Sequence, residues 1–179
     1  MTGVTLSVQN ADDLAAAFAR FGRAAEEDIA KVLKRTGLTI RSDIQQRIQR
    51  GPKTGTTYFR IPGDGVMTVR AGAEDGPPVA VFKRSGALNL SREHTASAPG
   101  EPPATDTGRL VAGVVFTTLD KLSVQIKSTV SYAYGLEFGT RKIEPRPSWR
   151  PAINAARAQY RQGLIDALNA ARARAWGGN

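Results

Sequence analysis

The 179-residue chain has no cysteine and one histidine, His94. Without cysteine there is no disulfide framework, no thiol nucleophile and no Cys-ligated zinc site. With one histidine, a multi-histidine metal site within a single chain is excluded. A Ser-His-Asp triad would have to use His94, which sits in a polar, proline-rich neighbourhood. Long apolar runs are also missing. The longest, about Leu110 to Phe116, falls far short of the roughly 18 residues of a membrane span. The opening stretch, Met1 to Asp13, has neither a basic nor an apolar signal region, so no secretory signal is expected. The expectation is a soluble chain made in a cytoplasm, with no cofactor, no metal, no membrane association and no catalytic residue.

Positive charge is what the chain has in excess. Lys and Arg number 25 against 16 Asp and Glu, for a net charge of +9. Such a balance points to a polyanionic neighbour or an acidic partner. Residues 141–179 carry eight basic residues against Glu144 and Asp166, which is +6 of that total. At 100° per residue, Arg150, Arg157, Arg161 and Arg172 fall within about 60° of one another on a helix. Two readings follow for these arginines and Arg146. They form a solvated face whose stems cover the core edge, or a row facing phosphates or an acidic subunit.

The length suits one domain, residues 1–179, with an insertion or extended loop at 51–107. Val4, Leu6 and Val8 alternate with polar residues, as in a short strand or arm. Asn10 or Asp12 is a suitable cap for a helix over Ala11 to Arg50. Its apolar face is read as Leu14, Phe18, Phe21, Ile29, Val32, Leu33, Ile40, Ile44 and Ile48. Gly22 is a place for a bend, and Gly51-Pro52 stops the helix. Residues 51–107 hold seven of the ten prolines. Val66 to Ala71 reads as a strand, with Val79 to Phe82 as its hairpin partner, and the rest as extended loop. A second hairpin is read from Leu110–Phe116 and Ser123–Lys127, turning around Thr118 to Lys121. Tyr132 to Thr140 is a helical turn ended by Gly139. Ser148 is a suitable N-cap for a last helix running to about Trp176, with Gly177-Gly178 beyond it. Its apolar stripe is read as Trp149, Ile153, Ala156, Tyr160 and Leu164. The expected class is α+β: a long N-terminal helix and a C-terminal helix packed on a small antiparallel sheet.

Candidate chemistry is thin. Asp106-Thr107-Gly108 matches the Asp-Thr-Gly signature of retroviral-type aspartic proteases, which pair two such aspartates. That motif needs an apolar strand before the aspartate, and here Pro102-Pro103-Ala104-Thr105 precedes it. A turn in which Gly108 takes an unusual backbone angle fits better. His94, beside Arg92 and Glu93, reads as a solvated loop residue with no orienting partner. Glu137 reads as an ion-pair partner for Arg141, Arg146 or Arg150 rather than a catalytic carboxylate. Gly63-Asp64-Gly65 lacks the helix and lysine of a phosphate-binding loop.

Three stretches together resemble a known family. The first is Lys53-Thr54-Gly55 with Tyr58. The second runs from His94 to Leu110 and contains Pro99, Gly100, Glu101, Asp106, Thr107 and Gly108. The third is Tyr132-Ala133, then Leu136-Glu137-Phe138-Gly139-Thr140, then Pro145 to Ala152. In this order they resemble the tail-completion (neck, head-tail joining) proteins of long-tailed phages, the gene-product-ten-like group. The resemblance covers residues 10–60 and 92–175; residues 61–91 stand where the family has a short connection and read as an insertion. It implies a structural virion protein of a siphophage-like particle or prophage, assembled in the bacterial host cytoplasm and located in the virion neck. Such subunits form a homo-oligomeric ring between a head-completion (stopper) protein and a tail-terminator or tail-tube protein. Genomic DNA passes through the lumen and is met without sequence specificity. On this reading Arg146, Arg150, Arg157 and Arg161 face DNA or a neighbouring subunit. Pro99, Gly100, Glu101, Asp106, Thr107, Gly108, Glu137, Phe138 and Gly139 belong to the inter-subunit arm and motif. A tail-terminator ring protein is the nearest alternative, and a non-specific DNA-binding protein is the alternative of another class.

Overall fold

The computed structural model describes residues 11–61, 65–68 and 92–177. The elements in chain order are α1 (Ala11–Arg50), β1 (Thr57–Ile61), β2 (Gly65–Thr68), β3 (Arg92–Thr95), α2 (Arg109–Ala112), β4 (Val114–Asp120), β5 (Ser123–Ser128), α3 (Ala133–Phe138) and α4 (Trp149–Trp176). The class is α+β, as the residue pattern predicts. The expected arm at Val4 to Val8, the Asn10 cap and the strand at Val79 to Phe82 lie outside the described residues. Asp12 stands inside the first turn of α1, where its charge complements the helix dipole. The chain divides into two compact units.

The described part of the first unit comprises residues 11–39, 116–125 and 156–177. Here α1 and α4 run antiparallel: Phe18 and Phe21 meet the Trp176 ring at 5.5 and 5.4 Å, while Val32 lies against Gly163. The seam between them is built from small residues. Ala17 and Ala25 of α1 and Ala167, Ala171 and Ala175 of α4 are buried. A Cβ added to Gly163 would stand 3.1 Å from a Val32 methyl. Small side chains let the two backbones approach closely, which moves the larger apolar groups to the margins. This corrects the predicted stripes in part: Leu14 and Phe18 here and Ile153 in the second unit are exposed, while Ala156 is buried as expected and the other buried positions along α4 are alanines as well. Arg174 of α4 pairs with Asp28 of α1 across the seam, and Lys121, outside the two helices, pairs with Glu26 of α1.

The two glycines inside α1 have opposite surroundings. Apart from its own helix backbone and chain neighbours, Gly22 has no atom of the described residues within 4 Å of where a Cβ would stand. Gly37 would place a Cβ 2.5 Å from the Phe116 ring and 3.4 Å from Val124. Gly22→Ala should therefore stabilise the chain by up to about 1 kcal/mol through helix propensity. Gly37→Ala should destabilise it by about 1–3 kcal/mol through overpacking. Urea unfolding of the two variants checks the sign of each change.

The described part of the second unit comprises residues 40–61, 65–68, 92–115 and 126–155. Its core gathers Ile44, Ile48, Leu110, Val111, Val114, Val130, Ala133 and Ala152, with Ile40, Ile126, Leu136 and Trp149 packed against it. Polar groups of α1 serve the same region: Arg41 Nε donates to the Val114 carbonyl (3.2 Å) and Gln45 Nε2 to that of Val111 (3.1 Å).

The strand predicted from Leu110 is corrected at its start. Residues 109–112 form the helical turn α2, and β4 begins only at Val114. Leu110 and Val111 are both buried. A helical turn can turn two adjacent residues inward, whereas a strand would send one to each face. The hairpin turn also shifts, to Lys121 and Leu122 between β4 and β5, where the Asp120 carboxylate accepts from the Leu122 N–H (2.9 Å). So short a connection makes the two strands antiparallel.

The region read mostly as loop contains a three-stranded antiparallel sheet of order β2-β1-β3. The described partner of β2 is β1, with Tyr58 opposite Thr68. On the other side of β1, Tyr58 pairs with His94 and Arg60 with Arg92. The chain thus leaves β1 and returns at β3 beside it. The helix boundaries expected at Gly51-Pro52 and at Trp176 are observed.

Candidate functional site

The three family-like stretches converge in the second unit. Gly55 N–H donates to the Ala96 carbonyl (2.9 Å) and Ala96 N–H to that of Thr56 (3.0 Å), which continues the β1–β3 pairing. Thr54 Oγ1 donates to Glu101 Oε1 (2.7 Å), while Glu101 Oε2 accepts the Ala98 N–H (2.8 Å). Glu101 therefore closes the Ala98–Glu101 turn and ties it to the first stretch. That turn needs Gly100, whose φ of 82° is left-handed. Gly100 N–H in turn donates to the Pro145 carbonyl (2.9 Å), joining the second stretch to the third.

Glu137 organises the third stretch. Its side chain is buried, and Oε2 accepts the N–H groups of Ser148 (2.7 Å) and Trp149 (3.0 Å). Oε1 accepts the Arg150 N–H (2.9 Å) and lies 3.4 Å from Arg150 Nε. Arg150 Nη2 also donates to the Glu137 carbonyl (3.1 Å). The start of α4 is thus capped by a carboxylate from α3, not by the Ser148 hydroxyl as its position suggested. The first N–H groups of a helix have no intrahelical acceptor, and a carboxylate also complements the helix dipole. Burial alone would raise the Glu137 pKa. The three backbone N–H groups and the Arg150 side chain outweigh it and hold the carboxyl below its ordinary value. Of the three arginines expected to pair with Glu137, Arg150 is the partner.

Gly139 makes this geometry reachable. Its φ is 81°, and a Cβ there would stand 3.0 Å from the Ile143 carbonyl and from Pro145 Cδ. The turn it starts is held by Thr140 N–H to the Ile143 carbonyl (2.7 Å), and Arg146 N–H returns to the Leu136 carbonyl (2.6 Å). Phe138 is exposed, lies 4.7 Å from the Tyr134 ring, and has the Arg150 guanidinium 5.3 Å from its centroid.

No protein-family model, no curated protein and no solved structure matches this chain.

The second and third stretches also line a cleft of about 280 Å³ whose walls include Ser97, Pro103, Asp106, Leu110, Leu136 and Arg146. His94 lines it as well, with Nδ1 3.9 Å from Asp106 Oδ1 and its side chain 19% exposed. His94 is therefore not the solvated loop residue expected; it belongs to β3 and has an acidic neighbour. Gly108, at φ 76°, leads into α2, and Thr107 Oγ1 lies 3.4 Å from the Arg109 N–H. The Asp-Thr-Gly triplet is a turn at the rim of this cleft. Among the described residues no group of three His, Cys, Asp or Glu could hold a metal ion, and no helix is long and apolar enough to cross a membrane.

The basic residues of α4 differ in what they touch. Arg150 is committed to Glu137 and Phe138, and Arg174 to Asp28. Arg157, Arg161 and Arg172 are exposed. Arg146 is drawn inward to the cleft. Sequence reasoning missed the cleft and the capping role of Glu137. The cleft gathers residues from His94 to Arg146, and the cap depends on the turn after Gly139 that brings Glu137 back to Ser148; no local spacing signals either.

Proposed function

We propose that this chain is a structural subunit of a phage neck, a tail-completion protein that joins head to tail as part of a ring in the virion. The observation that supports this most is the bonding among the three family-like stretches. Thr54 with Glu101 and Gly100 with Pro145 join stretches distant in sequence, and Glu137 with the start of α4 ties the third stretch to itself. These motif residues direct their polar groups at one another, which is how a motif that specifies a shape is built. A ring subunit needs a body whose shape is fixed and extended segments at its surface, because head-to-tail contacts that close make rings. The Ser97 to Asp106 stretch offers part of this: its Ala98–Glu101 turn is held to the body by Glu101 and Gly100, and it exposes Pro99 at the surface. Its prolines lower the entropy lost when it is laid against a neighbour. The partners on this reading are a second copy of the chain, a head-completion protein, and a tail-terminator or tail-tube protein. Genomic DNA would pass without sequence-specific contact.

The exposed Arg157, Arg161 and Arg172 favour a second reading, a non-specific duplex-binding protein. One genetic experiment tests the first. Interrupting the gene in an inducible phage that carries it should leave filled heads and finished tails unjoined in electron micrographs, with joining restored by the intact gene. Normal joined particles from the interrupted phage would overturn the neck reading. For the second reading, Arg157→Gln with Arg161→Gln should weaken duplex binding by the isolated chain. The slope of log affinity against log salt should become shallower by about 0.9 for each phosphate that the variant no longer neutralises. A neck subunit predicts little duplex affinity for the isolated chain and no such slope.

A further inference from the structure

The cleft beside the Asp106 turn has features that the packing of the unit does not use. Ser97 is 1% exposed, and its hydroxyl has no hydrogen-bond partner among the described residues. The Nε of Arg146 is buried and, among the described residues, also without a hydrogen-bond partner. Both residues line the cleft. Burying such groups unpaired costs free energy, so native structures seldom keep them without a use. An Arg Nε–H can only donate, and a serine hydroxyl can donate as well. The pair therefore calls for an acceptor.

Charge narrows the choice. Among the described residues the cleft carries Arg109 and Arg146 against Asp106, with His94 beside that carboxylate. The balance favours an anion. The guanidinium edge matches a planar carboxylate, which it can hold through two parallel bonds. Asp106 repels a dianion such as phosphate more strongly than a monoanion. Pro103, Leu110 and Leu136 supply an apolar wall for a short carbon stem. We propose that this cleft is a binding site for a carboxylate on a short aliphatic stem, with Arg146 and Ser97 as its donors. The carboxylate comes either from a glutamate side chain of a protein segment or from a free small carboxylic acid. The site stands whether or not the chain builds a neck.

The test is a titration of the full ¹⁵N-labelled chain with propionate, with N-acetyl-glutamate methylamide and with inorganic phosphate. The readouts are the Arg146 Nε–H signal and the amides of Ser97, Thr107 and Leu110. The expected result is saturable shifts at these positions with both carboxylates and weaker binding of phosphate. Tighter binding of the capped glutamate assigns the occupant to a protein segment, and tighter propionate assigns it to a free acid; both support the site. Arg146→Gln and Ser97→Ala should each weaken binding, the former by about tenfold or more. If Arg146→Gln lowers the thermal midpoint, Arg146→Lys replaces it, since it keeps the charge and loses the planar fork. Phosphate binding as tightly as the carboxylates would overturn the assignment. So would the absence of any saturable shift, or shifts unchanged in a folded Arg146 variant.

Discussion

Glu137→Ala should destabilise the protein by about 2–4 kcal/mol, because it removes a helix cap and leaves a buried N–H without its acceptor. The carboxylate accepts the Ser148, Trp149 and Arg150 N–H groups and the Arg150 side chain. Its loss leaves three helix-start donors without an acceptor, of which the Ser148 N–H is buried. The Arg150 guanidinium, more than half exposed, contributes the smaller share because water can replace its partner. Glu137→Gln is the sharper variant. It keeps the shape, yet turns an NH2 group toward at least one set of donors, so most of the loss should remain.

The pH dependence of stability gives a second readout. The Glu137 pKa is lowered in the folded state, so its stabilisation is fully present above the unfolded value, about 4.3. It is lost as pH falls through the folded value. The intact chain should lose more stability than Glu137→Gln between about pH 7 and about pH 3. Parallel loss in the two proteins would mean that Glu137 does not cap α4 as an ionised group.

Ile44→Ala is the second large effect, expected to cost about 2–5 kcal/mol. Ile44 is 0% exposed and lies in the cluster with Ile48, Leu110, Val111 and Val114. Its removal takes away the transfer free energy of three carbons and leaves a void between α1 and residues that cannot all move in. Ile44→Val should cost only about 0.5–1.5 kcal/mol. Ile153→Ala is the contrasting variant. The residue is 42% exposed, so the change should fall within about 0.5 kcal/mol. Urea denaturation with an unchanged m-value would attribute each difference to native packing. A cost at Ile153 equal to that at Ile44 would restore the large-residue stripe on α4 and contradict the alanine seam.

Much of the fold was legible because its signals are local. The α1 helix follows from a three-and-four spacing of apolar residues and ends where Gly51-Pro52 withdraws the hydrogen bonds. The bounds of α4 and the turn at Gly139 were readable in the same way. Other features were not. An alanine stripe is nearly silent in a hydrophobic pattern, because alanine is common on exposed helix faces too. Its burial became visible only once two helices were seen to need a close approach. Strands β1 and β3 are short, and pairing across the intervening segment is what makes them strands.

The candidate site divides along the same line. Composition excluded thiol chemistry and multi-histidine metal sites within one chain, and it placed most of the excess charge after residue 140. It could not distinguish the arginines by what they meet. Tertiary structure decided that Arg150 pairs with Glu137, that Arg146 turns into a cleft, and that Arg157 and Arg161 stay exposed. It also brought His94 to 3.9 Å from Asp106. The reason is physical: propensity and periodicity act over a few residues, while a carboxylate finds its donors only after the chain has folded back on itself. The missing cysteines and the ends of α1 and α4 were set by the sequence alone. Which polar groups found partners, and which were left facing a cleft, was settled by packing.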